Sequence, residues 1–475
     1  MNAIFRLLAP LLLGSALLVF SAQAGDRPNI ILCMADDMGW GDTGYNGHPY
    51  LKTPHLDQMS REGVMFTRFY SAAAMCSPTR ASAYTGRNPY RFGVTFAMTG
   101  MLEPTEIPIT TVLKQAGYTT GHFGKWHLGT LSKKQGDQAR WGDFAKDPAR
   151  YYCPPWERDV DVSFVTESKV PTWDPLVHPG AITAKEHGNP KVVAAKGSAY
   201  GNDYFTGPGV TETQNMAGDD SRVIMDRALP FIEDAVATDQ PFFAVVWFHT
   251  PHSPVVGGDK YRAMYTDRSE DEQHYYATIT ALDEQVGRLR GRLDELGVAE
   301  NTMLWFCSDN GPARQNSPRH VGSAGELSGY KLSLNEGGIR VPGLLVWPDR
   351  ISAPQTVMAP AVTSDYFPTI LDVLDIPLPA DRKFDGVSLM PLLDNRERER
   401  TAPIGFLNRN ATETAWIEER YKLLITKKGE ALYDIIEDPA ESQNLIESHP
   451  EVARRLQADS TKWREEVLAE LALVP

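Results

Sequence analysis

Two acidic clusters each follow an apolar run. Asp36-Asp37 come just after Asn29-Ile30-Ile31-Leu32, and Asp309-Asn310 just after Met303-Leu304-Trp305-Phe306. Ligands of open α/β sheets bind beyond the carboxyl ends of strands, so the two clusters could converge on one site. Their donors are all oxygens, which suit a hard cation such as Ca²⁺ or Mg²⁺ better than zinc. Read alone, such a pair of acids before a glycine is also a common turn. A third feature is Cys76-Ser77-Pro78-Thr79-Arg80, followed by Thr85-Gly86-Arg87. Pro78 suits a first helical turn and Gly86 a helix end, so Cys76 should sit at a helix N-terminus, where free N–H groups attract anions. An isolated cysteine there is equally a small buried hydrophobe.

The elements that must position these residues read as α/β. Buried-strand runs recur at Phe242–Trp247, at Met303–Phe306 and at residues 343–347. Between them lie amphipathic helices such as Thr278–Leu296, where Ile279, Leu282, Val286, Leu289 and Leu293 share a face and Gly297 closes the end. Alternating strands and helices predict a mostly parallel sheet flanked by helices. Residues 140–220 are crowded with Pro, Gly, Trp and Tyr, lack a period, and read as a loop-rich insertion. After the charged stretch Asn395–Arg400, short strands around Trp416, Leu423 and Leu432 and a helix from about Glu451 to Leu473 predict a small α+β unit.

The chain has 475 residues and a net charge of −14, so a general nucleic-acid binder, which needs a broad basic face, is disfavoured. Met1–Ala24 has a basic lead, an apolar run and an Ala-Gln-Ala end, the layout of a secretory signal peptide. The apolar run is shorter than the ~20 residues that span a bilayer, so export to the periplasm or beyond is expected, without stable membrane association. The expected organisation is residues 1–24 as leader, 25–395 as catalytic domain and 396–475 as C-terminal subdomain. Four cysteines in this length do not make a disulfide framework; Cys33 and Cys307 read as buried small hydrophobes.

Cys76-x-Pro78-x-Arg80 with Thr85-Gly86-Arg87 resembles the signature of the sulfatase family. The likeness continues in Thr53–Asp57, Gly117–His127, Ser308–Gly311, Glu336–Pro342, Leu432–Asp434 and Asp438-Pro439, in the family's order. Ala83-Tyr84 stands where an aliphatic pair is usual, Phe123 where a smaller residue is common, and Thr79 where Ser is commoner.

The resemblance implies an alkaline-phosphatase-like fold with a C-terminal antiparallel sheet and helix. It implies that Cys76 is oxidised to Cα-formylglycine by a formylglycine-generating enzyme. Asp36, Asp37, Asp309, Asn310 and the modified Cys76 would hold Ca²⁺. Arg80 would orient the aldehyde hydrate, and Lys125 and Lys331 would contact sulfate. His252, helped by Lys331, would protonate the leaving alcohol, and His127 would deprotonate the sulfated hydrate; His122, His249 and His320 are the rival histidines. A gem-diol gives the covalent intermediate an exit that serine lacks, because elimination through its second hydroxyl frees sulfate.

Related phosphodiesterases and phosphonate hydrolases often carry His where this chain has Asn310, which favours sulfate and a single metal ion. The other alternative is a glycan-binding relative without catalysis. A sulfated polysaccharide or oligosaccharide is the expected substrate, with Arg314, Arg319 and His320 as candidate contacts and Trp156, Trp173, Lys185 and Lys196 as further ones.

Overall fold

The computed structural model describes residues 27–134, 140–180, 196–314 and 321–474. The proposed leader therefore lies outside the described residues, as do Lys185, Arg319 and His320. Along the chain the strands run β1 (Asn29–Ala35), β2 (Val64–Phe66), β3 (Phe69–Tyr70), β4 (Thr119–Lys125), β5 (Val162–Thr166), β6 (Tyr204–Gly207), β7 (Val210–Glu212) and β8 (Phe242–Trp247). They continue as β9 (Thr302–Ser308), β10 (Arg340–Val341), β11 (Gly343–Val346), β12 (Gln355–Val357) and β13 (Ala361–Val362). The last are β14 (Ile404–Leu407), β15 (Thr414–Ile417), β16 (Tyr421–Thr426) and β17 (Gly429–Asp434).

Ten strands form one mixed sheet in the order β12-β2-β11-β9-β1-β8-β4-β5-β6-β7. Its centre, from β9 to β5, is parallel. Every residue of β1 is buried, as a strand covered on both faces requires. Successive side chains serve opposite cores. Ile30, Leu32 and Met34 join Val245 and Trp247 on one face, while Ile31, Cys33 and Ala35 join Ala244 and Val246 on the other. Cys33 and Cys307 are buried apolar residues as expected, and Cys153 is buried too, its thiol donating to the Leu102 carbonyl at 3.1 Å.

The long helix spans Glu270–Glu295, about two turns more than its apolar spacing announced. Its start is fixed by a reciprocal cap between Ser269 and Glu272, and Gly297 takes a left-handed φ of 70° just past its end. The stretch 140–220 is not loops alone. It contributes β5, β6 and β7, short strands whose place comes from pairing with β4 and with each other.

The C-terminal sheet runs β14-β15-β16-β17, antiparallel, with the Pro450–Leu471 helix on one face through Trp416, Leu423, Leu432 and Leu456. Its other face shares a core with Tyr70, Ile339 and Val362 of the main body. Arg400, the last residue of the charged stretch, is no solvated linker cation: its guanidinium grips buried Asp365 at 2.8 Å.

Candidate active site

Four neighbouring parallel strands, β9-β1-β8-β4, deliver the candidate residues from one edge of the sheet. Asp36 and Asp37 follow β1, Asp309 and Asn310 follow β9, His252 lies in the loop after β8, and Lys125 ends β4 with His127 just beyond. Cys76 opens the Cys76–Thr85 helix, every residue of which is buried, and Gly86 closes it at φ 70°. A Cβ on Gly86 would meet the Phe367 Cβ at 2.8 Å, so the close approach needs glycine as well as the left-handed turn. Asp37 and His127 themselves sit at φ 67° and 58°. Non-glycine residues seldom hold that conformation, and it clusters where function fixes the backbone.

The charged groups interlock. Lys125 Nζ donates to Asp36 Oδ2 at 2.6 Å, and Lys331 Nζ donates to Asp37 Oδ1. Arg80 donates to Asp309 Oδ2 from Nη2 at 2.6 Å and from Nε at 3.0 Å, with Asp36 Oδ2 3.7 Å away. Its guanidinium lies 5.0 Å over the Trp247 ring. His252 Nε2 stands 3.7 Å from Asp37 Oδ2, and its Nδ1 lies 2.8 Å from the Ser253 carbonyl.

Three buried polar atoms in this cluster have no hydrogen-bond partner: Asp36 Oδ1, Asn310 Oδ1 and His127 Nδ1. Buried polar groups are rarely left so unless something else uses them. The Asn310 amide donates to Asp37 Oδ1 at 2.8 Å, which turns its own oxygen free. Donor atoms of Asp36, Cys76 and Asp309 lie within 4.8 Å of one another, as do those of Asp36, Asp37 and His252. Converging carboxylate and amide oxygens fit a hard cation.

The electrostatics follow from burial among these neighbours. Burial opposes ionisation of Asp36, yet Lys125, His252, Arg80 and Lys331 hold it well below the usual carboxylate range. Burial and the adjacent Asp36 charge push Asp309 up to about 7, against Arg80 and Lys125. Burial also raises the Cys76 thiol, although Lys125 and Lys331 oppose it. It lowers His252 to about 3 despite Asp36 and Asp37, and with Lys125 and Arg80 it drives His127 well below its ordinary value.

Two of the rival histidines, His249 and His122, are engaged elsewhere. His249 meets Asp220 Oδ2 at 2.9 Å through Nδ1 and Thr166 Oγ1 at 2.7 Å through Nε2. His122 faces Tyr84 Oη and the Lys125 carbonyl. Arg314 lies 5.1 Å over the Tyr330 ring, in a hollow separate from the Cys76 cavity. Trp156 packs against the main core, and Trp173 with Lys196 lines another cleft. The residues that do wall the Cys76 cavity beside the charged cluster are Met75, Phe96, Ala97, Met98 and Trp141. Sequence reasoning missed them because Val94–Met98 carries no periodic signal and Trp141 is one of 10 tryptophans.

A sulfatase family model matches residues 28–376. The chain belongs to the sulfatase family. It is a sulfuric ester hydrolase by that membership, and a second model, the C-terminal part of N-sulphoglucosamine sulphohydrolase, matches residues 330–466. Mouse N-acetylgalactosamine-6-sulfatase is 31% identical over 400 residues, 81% of this sulfatase and 69% of the relative. Rat steryl-sulfatase is 33% identical over 445 residues, covering 81% and 74%. The crystal structure of Ps i-CgsB in complex with k-i-k-neocarrahexaose superposes with a TM-score of 0.77 at 25% identity, over 92% of this chain and 93% of that one.

Proposed function

We propose that this sulfatase removes sulfate from a sulfated glycan, using Cys76 matured to Cα-formylglycine together with one Ca²⁺. The observation that carries the reading is the position of Cys76. It is a buried residue at a helix N-terminus, facing a cavity of about 220 Å³ that Lys125, His127, His252 and Lys331 also line. Burial keeps its thiol protonated, so unmodified Cys76 lacks the thiolate that a cysteine nucleophile needs.

When formed, the formylglycine hydrate would supply one hydroxyl to accept the sulfuryl group and a second whose deprotonation expels sulfate. Asp36, Asp37, Asp309 and Asn310 would hold Ca²⁺, which would polarise the sulfate and favour ionisation of the hydrate. The chain's own groups supply the rest. Asp36 and Asp37 face Lys125 and Lys331, and Asp309, whose ionisation burial opposes, faces Arg80. With a divalent ion added the site would be net positive and receptive to a sulfate monoester. Lys125 and Lys331 would hold its oxygens, and Arg80, one turn along the helix from Cys76, would orient the hydrate. Burial favours the neutral imidazole of His252, and the negative charge of a bound sulfate ester would favour its protonation by water. His252 then donates that proton to the departing alcohol, while His127, with a free buried Nδ1, takes the proton that releases sulfate.

The Met1–Ala24 leader supports export to the periplasm or beyond, where a scavenger of extracellular glycans would work, and a formylglycine-generating enzyme is the partner that maturation requires. The test is a peptide mass spectrum over Cys76 from the native host, paired with sulfate release from defined sulfated oligosaccharides. An aldehyde with sulfate release is expected. A free thiol without release would favour a glycan-binding protein, and preferred hydrolysis of phosphonate monoesters would favour phosphorus chemistry.

A further inference from the structure

The C-terminal motif of Leu432–Asp434 and Asp438-Pro439 builds a turn that aims one side chain, Glu441, at the main body. Asp434, the last residue of β17, accepts the amides of Ile436 and Glu437 through Oδ1 at 3.2 and 3.3 Å. Asp438 accepts the amides of Ser442 and Gln443, both at 2.8 Å, and its carbonyl accepts the Glu441 amide at 3.0 Å. Glu441 is thereby held at a φ of 55°, which non-glycine residues seldom keep, and it is buried.

Its carboxylate grips both ends of one loop. Glu441 Oε2 accepts from Ser328 Oγ at 2.5 Å and from the Glu336 amide at 2.8 Å. Burial opposes ionisation of Glu441, but Lys422, Ser328 and the Glu336 amide hold its carboxyl below the usual range. Between those ends lies Lys331, whose Nζ donates to Asp37. The Gly337 amide donates to the Ser328 carbonyl at 2.7 Å, which closes the loop on itself. A Cβ on Gly338 would meet the Ser333 carbonyl oxygen at 2.0 Å, so the loop can lie against that residue only because it is glycine. In mid-loop the Lys331 amide donates to the Pro312 carbonyl and the Leu332 amide to the Ala74 carbonyl, each at 2.9 Å. Pro312 lies just past Asn310, and Ala74 just before Cys76. The loop therefore leans on both segments of the site while its ends are fixed from the C-terminal subdomain.

We infer that Glu441 is a positioning residue: from the C-terminal subdomain it fixes the loop between Ser328 and Glu336 and so holds the Lys331 ammonium where sulfate binds. The inference deepens the sulfatase reading and rests on it. Hydrogen bonds to a carboxylate are roughly twice as strong as neutral ones. Misplacing a positioned group by about 1 Å can cost up to about 10²-fold in rate. The C-terminal subdomain is then a working part of the catalytic unit.

Ser328→Ala removes one grip and leaves Glu441 with Lys422 and the Glu336 amide, so the fold should survive. The full chain, with Cys76 conversion verified by mass, is assayed on nitrophenyl sulfate and a pyranose monosulfate, with inorganic sulfate as inhibitor. Ser328→Ala should lower kcat/KM about tenfold and weaken inhibition by sulfate about as much, with the thermal midpoint moved by less than about 4 °C. Leu456→Ala, in the core between the C-terminal sheet and its helix, should lower the midpoint and leave both constants within about twofold. In a Lys331→Ala background Ser328→Ala should change neither constant further, because the loop then has no ammonium to place. Additive losses in that double variant, unchanged sulfate inhibition in Ser328→Ala, or an equal effect from Leu456→Ala overturns the inference and leaves the sulfatase reading standing. A fully converted wild type that cleaves neither ester refutes the sulfatase reading itself, and the positioning role falls with it.

Discussion

Tyr84 Oη lies 2.6 Å from His122 Nδ1, in a fully buried pocket whose walls are Trp126 and Trp247. His122 Nε2 faces the Lys125 carbonyl at 3.2 Å, which can only accept, so Nε2 carries the proton and Nδ1 accepts from Tyr84. Tyr84 is thus matched by a histidine on the strand that ends in Lys125.

Burial lowers His122 to about 3, helped by Arg80 and opposed by the Lys125 carbonyl. The unfolded ring titrates near 6.5, so the stability from neutral His122 is complete above that pH and is lost as pH falls toward 3. The loss should reach roughly 4–5 kcal/mol at its limit. Unfolding of wild type and His122→Gln followed from pH 7 to pH 4 should show their difference shrinking with acid. A constant difference would exclude the linkage.

Cys76 is more buried than a loop–helix junction suggests, within a small cluster formed with Met75, Phe96 and Ala97. Because that cluster borders the cavity, Cys76→Ala only enlarges an existing space. It should abolish turnover while leaving the thermal midpoint within about 2–4 °C, a shift equivalent to about 1 kcal/mol. More than a few per cent of wild-type activity in this variant would rule out the formylglycine chemistry.

Asn310→Ala removes a free buried oxygen without stripping Arg80 of its carboxylates, a cleaner change than losing Asp309. Calorimetric titration should show at least tenfold weaker Ca²⁺ binding with the fold intact, since ligand loss in a metal site costs more than second-layer changes of 10–100-fold. Unchanged Ca²⁺ affinity would take Asn310 out of the proposed ligand set, and stoichiometric zinc in the purified wild type would contradict a hard-cation site.

Lys422 on β16 is fully buried, with Nζ 2.9 Å from Glu336 and 2.8 Å from Glu441. Tyr70 Oη donates to the other Glu336 oxygen at 2.8 Å, and Ser328, on the loop that carries Lys331, donates to Glu441. Lys422→Ala leaves buried Glu441 without its cation and Glu336 with only Arg340, 3.7 Å away, and should cost about 3–5 kcal/mol by denaturant unfolding. Adding Glu441→Gln should restore part of it. A single-variant cost under about 1 kcal/mol would mean water replaces the ammonium.

His252 and His127 separate by leaving group. An alcohol as poor as a sugar hydroxyl needs protonation, and a nitrophenolate hardly does, so His252→Ala should lose about 10²–10⁴-fold on a sugar sulfate and far less on nitrophenyl sulfate. His127→Ala should accumulate enzyme heavier by a sulfuryl group with either substrate. Equal losses for both esters in His252→Ala, or no added mass in His127→Ala, would reverse or remove the assignments in single-turnover kinetics with intact-protein mass.

Much of the site was legible before folding because its signals are local. An apolar run that ends in Asp-Asp or Asp-Asn announces a strand and the ligands beyond it, and Pro78 with Gly86 brackets the helix that presents Cys76. The order β9-β1-β8-β4 was not legible, since buried strands are interchangeable apolar runs and their pairing is settled by packing between distant segments. The family likeness picks His252 over His249, three residues before it on one loop, but the physical reason lies in the fold. Asp220 and Thr166, from a helix and a strand remote in the chain, occupy both nitrogens of His249 and leave His252 facing Asp37. The Phe96–Trp141 wall and the Lys422 cluster likewise exist only once the chain is folded. A residue's type and neighbours in sequence fix what chemistry it can do, but the desolvation and the partners that decide whether it does so come from residues far along the chain.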